Sequence, residues 1–156
     1  MSEVKKKESF THFAQVLAEG QSTENDDEVW YVSNASDHMT PKREWFTTFE
    51  EVPEGDWSVG ELDGSQHWVR GRGNIKIQRK LGLQWEDGVL ENVLYAPALR
   101  RNLFSLGRAV KQGNSASFGG TDCTLRNSEG AEMLTGTGHG GLFKLNVRVM
   151  PPELSC

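Results

Sequence analysis

The stretch that decides the fold is Trp30-Tyr31-Val32-Ser33-Asn34-Ala35-Ser36-Asp37-His38-Met39-Thr40, in which an apolar start leads into small polar residues. Residues 29–32 are a strand candidate, and further short strand candidates with glycine-marked gaps follow along the chain. These are residues 57–60, 67–71, 74–78, 89–96, 115–119, 123–127 and 142–149. The spacing predicts a mostly β domain, a barrel or a sandwich rather than a parallel α/β sheet.

Two segments have the character of short helices. Residues 103–112 form one, and residues 9–19 form the other because their apolar residues recur at helical spacing. The apolar face of the second segment consists of Phe10, Phe13, Val16 and Leu17. An acidic, turn-rich linker at residues 20–28 separates this helix from the strands. We therefore predict a flexible N-terminal segment (1–28), one domain (29–149) and a C-terminal tail (150–156).

Composition narrows the classes of function. The 156 residues are 36% hydrophobic and 25% charged, with a net charge of −5, which is typical of one soluble domain. No apolar run approaches the ~20 residues of a membrane helix, and no apolar segment follows Lys5, Lys6 and Lys7 as in a secretory signal. We expect an intracellular protein, cytoplasmic or nuclear. Two cysteines and four scattered histidines predict no metal site, and no cofactor is expected.

Four sequence blocks, in order, resemble the aspartic protease domain of Copia-type (Ty1/copia) retrotransposon Gag-Pol polyproteins. The first is residues 30–40, which resembles an apolar strand running into Asp-Ser-Gly-Ala-Ser and then His-Met-Thr. The second, residues 69–75, looks like the family's V-x-G-x-G-x-I segment, and the third, residues 90–106, like Val-Leu-Tyr-x-Pro followed by Asn-Leu and a serine. The fourth is Gly-Leu-Phe-Lys-Leu at residues 141–145. The resemblance implies a retropepsin-like closed β barrel.

The first block differs from the family pattern at the position of the catalytic residue. Aligned back from His38, the catalytic aspartate falls on Val32 and the following glycine falls on Asn34, whereas Ser33, Ala35 and Ser36 match. An aspartic protease needs two carboxylates sharing a proton around a water, one from each protomer of a homodimer in this family. An isopropyl group can neither hold that water nor move a proton. We predict a pseudoprotease without catalytic residues, derived from a domesticated element rather than engineered.

The resemblance implies that such a domain keeps its non-catalytic properties. These are homodimerisation and a groove, covered by flaps, that holds an extended peptide of a protein partner. The predicted flap consists of Arg70, Gly71, Arg72, Gly73 and Asn74. Its glycines are expected to give mobility, and its arginines suit an acidic peptide. The predicted dimer interface consists of Val32, Asn34, Leu103 and Phe104.

Two alternatives remain open at this point. One is a residual aspartic peptidase that uses another carboxylate, for which Asp37 is the nearest candidate. The other is a nucleic-acid accessory domain built on two basic clusters, although the net charge of −5 does not favour it. The clusters are Arg70, Arg72, Lys76, Arg79 and Lys80, and Arg100, Arg101, Arg108 and Lys111. Transposon ancestry also suggests a host role in transposon control or genome regulation.

Overall fold

A computed structural model describes residues 11–14, 28–61, 65–139 and 142–152. Within them the chain forms fourteen strands, one α-helix and a 3-10 turn at Arg43–Trp45. The strands are β1 (Thr11–Ala14), β2 (Trp30–Ser33), β3 (Met39–Thr40), β4 (Phe46–Glu51), β5 (Ser58–Glu61), β6 (Gln66–Trp68), β7 (Gly71–Leu81), β8 (Gln84–Tyr95), β9 (Asn102–Ser105), β10 (Ser115–Phe118), β11 (Asp122–Arg126), β12 (Glu132–His139), β13 (Leu142–Leu145) and β14 (Val147–Val149). The helix α1 spans Leu106–Lys111. The prediction of a mostly β domain is confirmed.

The longest element is the antiparallel hairpin of β7 and β8, which has 11 and 12 residues in its two strands. Its turn is Gly82-Leu83, and Gly82 has φ 67, a left-handed value that glycine adopts without a steric penalty. Ile75 and Ile77 alternate with the outward-facing Lys76, so one face of β7 lies in the core. β4 and β14 pair with the other edge of β7.

β9 lies near the middle of the larger sheet. It lies between β2, with which it is parallel, and β3, with which it is antiparallel. All four of its residues are buried, including the polar Asn102 and Ser105, so its sequence shows no alternation of buried and exposed positions. The predicted helix over residues 103–112 is therefore wrong at its start: residues 103–105 belong to this strand, and the helix begins at Leu106.

The larger sheet bends around one core. Its strand order is β10-β11-β12-β13-β2-β9-β3-β8-β7-β14, and the Arg79 guanidinium of β7 nevertheless donates to the Met133 carbonyl of β12 at 3.0 Å. Two strands far apart in the order thus face each other, as in a barrel. The core draws buried residues from most strands, including Trp30, Ile75, Leu90, Phe104, Leu125 and Leu145.

The prediction of an N-terminal helix is wrong where the structure describes it. Thr11–Ala14 form strand β1, paired in parallel with β5 in a second sheet of order β1-β5-β6. Pairing with a sheet edge supplies backbone partners from outside the segment, which a local 3.6-residue pattern does not reveal. The other residues of the predicted helix, and the acidic linker up to residue 27, lie outside the described residues.

Candidate functional site

The motif of residues 30–40 forms β2, a loop over residues 34–38 and β3. Ser33, at the end of β2, is buried, and its hydroxyl donates to the Phe104 carbonyl at 3.3 Å. The same oxygen accepts the Ala35 backbone N–H at 3.1 Å, a local serine bond that turns the chain out of the strand. Ser33 and Ala35 thus have structural roles at the position where the family carries its catalytic loop.

Ser105 ties this loop to β9 and α1. Its hydroxyl donates to the Ala35 carbonyl at 2.8 Å and accepts the Arg108 backbone N–H at 3.0 Å, which makes it the N-cap of the helix. Its own N–H donates to Nδ1 of His38 at 2.9 Å. Two of the predicted sequence blocks therefore meet in space. Sequence reasoning did not assign this role to Ser105, although a serine before a helix start is the usual capping signal.

His38 is enclosed between the loop and β9. It is 5% exposed, and its ring stacks on Phe104 with centroids 4.5 Å apart. Burial, with a smaller contribution from the Arg108 charge, lowers the pKa of His38 to about 3. The imidazole is therefore neutral at neutral pH. Because Nδ1 accepts a hydrogen bond, its single proton lies on Nε2.

Asp37 is the carboxylate nearest to the motif centre, and it is held in a buried ion pair. Its Oδ1 lies 3.4 Å from Nη1 of Arg108, and its Oδ2 accepts the Ser36 hydroxyl at 3.1 Å. The Asp37 side chain is only 4% exposed and that of Arg108 15%. Arg108 also donates to the Asn92 carbonyl at 3.4 Å. This arrangement attaches the loop to α1 and to β8.

Thr40 and Asn102 form a second buried polar tie beside β9. The Thr40 hydroxyl donates to Oδ1 of Asn102 at 2.6 Å, and Nδ2 of Asn102 donates to the Val29 carbonyl at 2.9 Å. Thr40 is fully buried and Asn102 is 1% exposed, so the bond between them is shielded from water, whereas the bond to Val29 is partly buried. The tie links the start of β2 to β3 through β9.

Val32, at the predicted position of the catalytic aspartate, lies in apolar surroundings. It is partly buried, packs against the main core and pairs in register with Phe104. The small cavity that it lines has mostly apolar walls, including Phe104, Leu106, Phe118, Leu125, Leu134 and Leu145. No carboxylate is among the described residues that line this cavity.

The predicted dimer-interface residues divide into two groups. Asn34 is exposed in the loop and Val32 is partly exposed. Leu103 is 1% exposed and Phe104 4%, because both belong to the buried strand β9. Leu103 and Phe104 therefore offer little surface to a partner, and their part in a dimer interface stays a prediction.

The residues of the predicted flap lie in or beside a strand and not at the turn of a hairpin. Four of its residues, Gly71, Arg72, Gly73 and Asn74, lie within β7, between β4 on one edge and β8 on the other, and Arg70 immediately precedes them. A Cβ on Gly71 would overlap the Phe49 ring, and one on Gly73 would overlap the Thr48 carbonyl. These glycines allow close packing of β4 on β7 rather than mobility. Binding of a peptide by these five residues stays a prediction.

Three of the nine basic residues in the two predicted clusters form ion pairs with other described residues. Arg72 pairs with Glu50, Arg79 with Glu86 and Arg108 with Asp37. Within the described part of the chain no group of three or more His, Cys, Asp or Glu residues is arranged to hold a metal ion. The described residues also include no helix long and apolar enough to cross a membrane.

Comparison with known families identifies the domain. The profile of a family described as Pol polyprotein, beta-barrel domain, matches residues 29–114, more than half of the chain. No curated protein and no solved structure matches the chain. The matched region contains β2 to α1 with the Ser105 network, and its fold agrees with the retropepsin-like barrel predicted from the sequence blocks. The chain belongs to the Pol polyprotein beta-barrel domain family.

Proposed function

We propose that this chain is a Copia-type Pol barrel that has lost its catalytic aspartate. In this proposal it acts as a homodimeric module that binds an extended peptide of a protein partner. The observation that carries the proposal is the apolar setting of Val32, where the family motif requires a carboxylate. Its ancestry in a Pol polyprotein suits a domesticated host protein with a role in transposon control or genome regulation.

The alternative of a residual peptidase depends on Asp37. That carboxylate is engaged by Arg108 and by the Ser36 hydroxyl, and it is almost fully buried. General acid–base catalysis on a water needs a carboxylate that can exchange its proton at a site open to substrate. The pairing with Arg108 removes Asp37 from that role, which supports the non-catalytic proposal.

Support for a homodimer comes from the surface around Val32. Val32 and Phe118 line the same apolar cavity, and Phe118 is 48% exposed. Asn34 is exposed in the adjoining loop, so its amide is available for hydrogen bonds across a two-fold axis. The proposed interface therefore combines an apolar centre at Val32 with a polar loop.

The test of lost catalysis compares the natural chain with the double variant V32D/N34G, which restores the Asp-Ser-Gly triplet of the family. Cleavage of a mixed peptide library is followed by mass spectrometry between acid and neutral pH. We expect no cleavage by the natural chain. Cleavage by the natural chain that stops in D37N would show that Asp37 is catalytic and would overturn the proposal.

The test of dimerisation is sedimentation velocity over a range of concentrations. We expect a concentration-dependent dimer for the natural chain and a weaker one for V32D, which places a charge at the apolar centre of the interface. L83D is the matched control, because Leu83 is 94% exposed at the tip of the β7–β8 hairpin. A chain that stays monomeric at every concentration, or a dimer weakened equally by L83D, would contradict the proposed interface.

A further inference from the structure

A second cavity, which Val32 does not line, has no role in the proposal above. Its volume is about 260 Å³. Its walls are the β7–β8 hairpin, the end of α1 and strands β11 and β12. Its lining is mixed. Ile77, Leu90, Leu125 and Leu134 form apolar wall, and His38, Arg79, Glu91, Gln112 and Asn114 are the polar or charged residues that line it. A pocket of this kind is the usual form of a binding site.

The polar group that points to a ligand is Nε2 of His38. The ring is 95% buried, since its exposed fraction is 5%, and it lines the cavity. Nδ1 is occupied by the Ser105 N–H, so Nε2 carries the proton and is a donor. The described residues provide no hydrogen-bond acceptor for this donor. Nε2 is nevertheless not one of the fully buried polar atoms that lack a partner, so protein atoms do not cover it completely. It therefore reaches open space, which at this ring is the cavity.

The backbone edge of β8 borders the same cavity. Residues 88–91 line it consecutively, although successive side chains of a strand point to opposite faces. A cavity that touches four consecutive residues therefore lies along the edge of the strand, where backbone groups are accessible. On this edge β8 is paired only at Leu94 and Tyr95, with the two-residue strand β3, within the described parts of the chain.

We propose that an extended peptide adds to the free edge of β8 at residues 88–91, puts one large apolar side chain into the cavity and accepts a hydrogen bond from the Nε2–H group of His38. Such a peptide continues the line of β3 along β8, so its backbone gains the hydrogen bonds of a sheet. The carbonyl that accepts from His38 fixes its register. The inference rests on the proposed function, because it assigns a site to the peptide binding proposed there.

Arg79 packs across Gly88 and borders the cavity. A Cβ on Gly88 would lie 3.3 Å from Nε of Arg79, whose side chain crosses that face on its way to the Met133 carbonyl. The Arg79 side chain therefore supports β8 from inside the cavity and is already satisfied by Met133 and Glu86. The two determinants that the proposal uses are apolar contact and the hydrogen bond donated by Nε2–H of His38.

The experiment uses the full chain, labelled for amide and imidazole NMR, at neutral pH. The probes are capped pentapeptides of alanine with leucine, phenylalanine or alanine at the centre, and the leucine peptide with its central nitrogen methylated. We expect the leucine and phenylalanine peptides to shift the amide signals of residues 88–91 and the His38 ring signal. The alanine and N-methylated peptides should bind about tenfold more weakly, because each loses one determinant.

Two protein variants make the test specific. In His38→Asn the side-chain oxygen replaces Nδ1 as acceptor for the Ser105 N–H, but the Nε2 donor is lost. Ala109→Leu fills the cavity, and Val110→Leu is its control because Val110 is exposed and does not line the cavity. We expect weaker peptide binding in the first two variants and unchanged binding in Val110→Leu.

The possible results separate this inference from the proposed function. Peptide-induced shifts near Asn34 or at residues 70–74 instead of β8 would overturn the cavity as the site and leave peptide binding intact. Equal affinity of the N-methylated peptide would overturn strand pairing at β8. The absence of binding for every peptide at millimolar concentration would overturn both the inference and the peptide-binding part of the proposed function.

Discussion

The burial and the protonation state of His38 are set by its surroundings in the fold. In the sequence it is part of a His-Met-Thr match, with no indication of burial. In the fold it is 5% exposed, accepts the Ser105 N–H and stacks on Phe104. Its neutral form is required by these contacts, since a protonated Nδ1 could not accept that bond. The residue therefore couples the stability of the loop to pH.

The pH dependence follows from the lowered pKa. Because the folded pKa of His38 is about 3 and the unfolded value is 6.5, the unfolded chain binds the proton first as the pH falls. Its contribution to stability is complete above pH 6.5 and is lost between pH 6.5 and about 3. We expect about 1.4 kcal/mol of unfolding free energy lost per pH unit in that window.

The measurement is urea unfolding of the natural chain and of His38→Asn across this pH range. Other groups titrate in both proteins, so the difference between the two curves reports His38. In the plot of unfolding free energy against pH, the variant should lack the part of the slope that His38 contributes. Parallel curves for the two proteins would show that His38 is not the responsible group.

At position 71 the structure leaves no room for a side chain. Gly71→Ala places a methyl group against the Phe49 ring, and we expect a loss of about 1–3 kcal/mol of stability from overpacking. The additional change Phe49→Leu should recover part of that loss. Gly107→Ala is the control, because its nearest neighbour would be Ser105 Oγ at 3.9 Å; it should stabilise α1 by up to about 1 kcal/mol. Thermal unfolding distinguishes these outcomes, and equal effects at both glycines would contradict the packing argument.

At the scale of elements, the motif loop depends on its attachment to α1. The attachment consists of the Asp37–Arg108 ion pair and the two bonds of the Ser105 hydroxyl. α1 spans only Leu106–Lys111, and a helix this short is not stable by itself in water. Its position and that of the loop are therefore stabilised mutually.

The ion pair is tested by removing one partner. Asp37→Asn leaves the partly buried Arg108 charge without its carboxylate, and we expect a loss of about 3 kcal/mol. Asp37→Asn combined with Arg108→Met should recover part of that loss. Glu50→Gln breaks the exposed pair with Arg72, where we expect less than about 1 kcal/mol. Chemical denaturation of the four proteins gives the comparison, and similar losses at the two pairs would refute a special role for Asp37.

At the scale of the whole molecule, the barrel needs strands beyond the matched family region. The match ends at residue 114, but β13 pairs with β2 at Lys144 and Tyr31. β14 pairs with β7, and the main core includes Leu125, Leu134 and Leu145. Within the described residues, the last strand of this sheet is β14, which ends at Val149.

This dependence predicts the behaviour of a truncated chain. A fragment ending at residue 114 loses one wall of the core and exposes Trp30 and Phe104, so we expect no cooperative unfolding transition. A fragment ending at residue 152 retains β14 and should unfold as the full chain does. Circular dichroism during heating measures both, and a cooperative transition in the shorter fragment would show that the matched region folds alone.

The fold class, the order of the blocks and the absence of a carboxylate at position 32 follow from the amino-acid sequence, because local composition and residue identity suffice for each. The three-dimensional fold was needed to show that residues 71–74 lie in a strand paired on both edges, that Thr11–Ala14 form an edge strand and that His38 is enclosed. The hydrogen bonds that hold the His38 loop, for example, join residues 67, 70 and 71 positions apart. Local periodicity carries no information about such pairings, since they exist only once distant strands have packed.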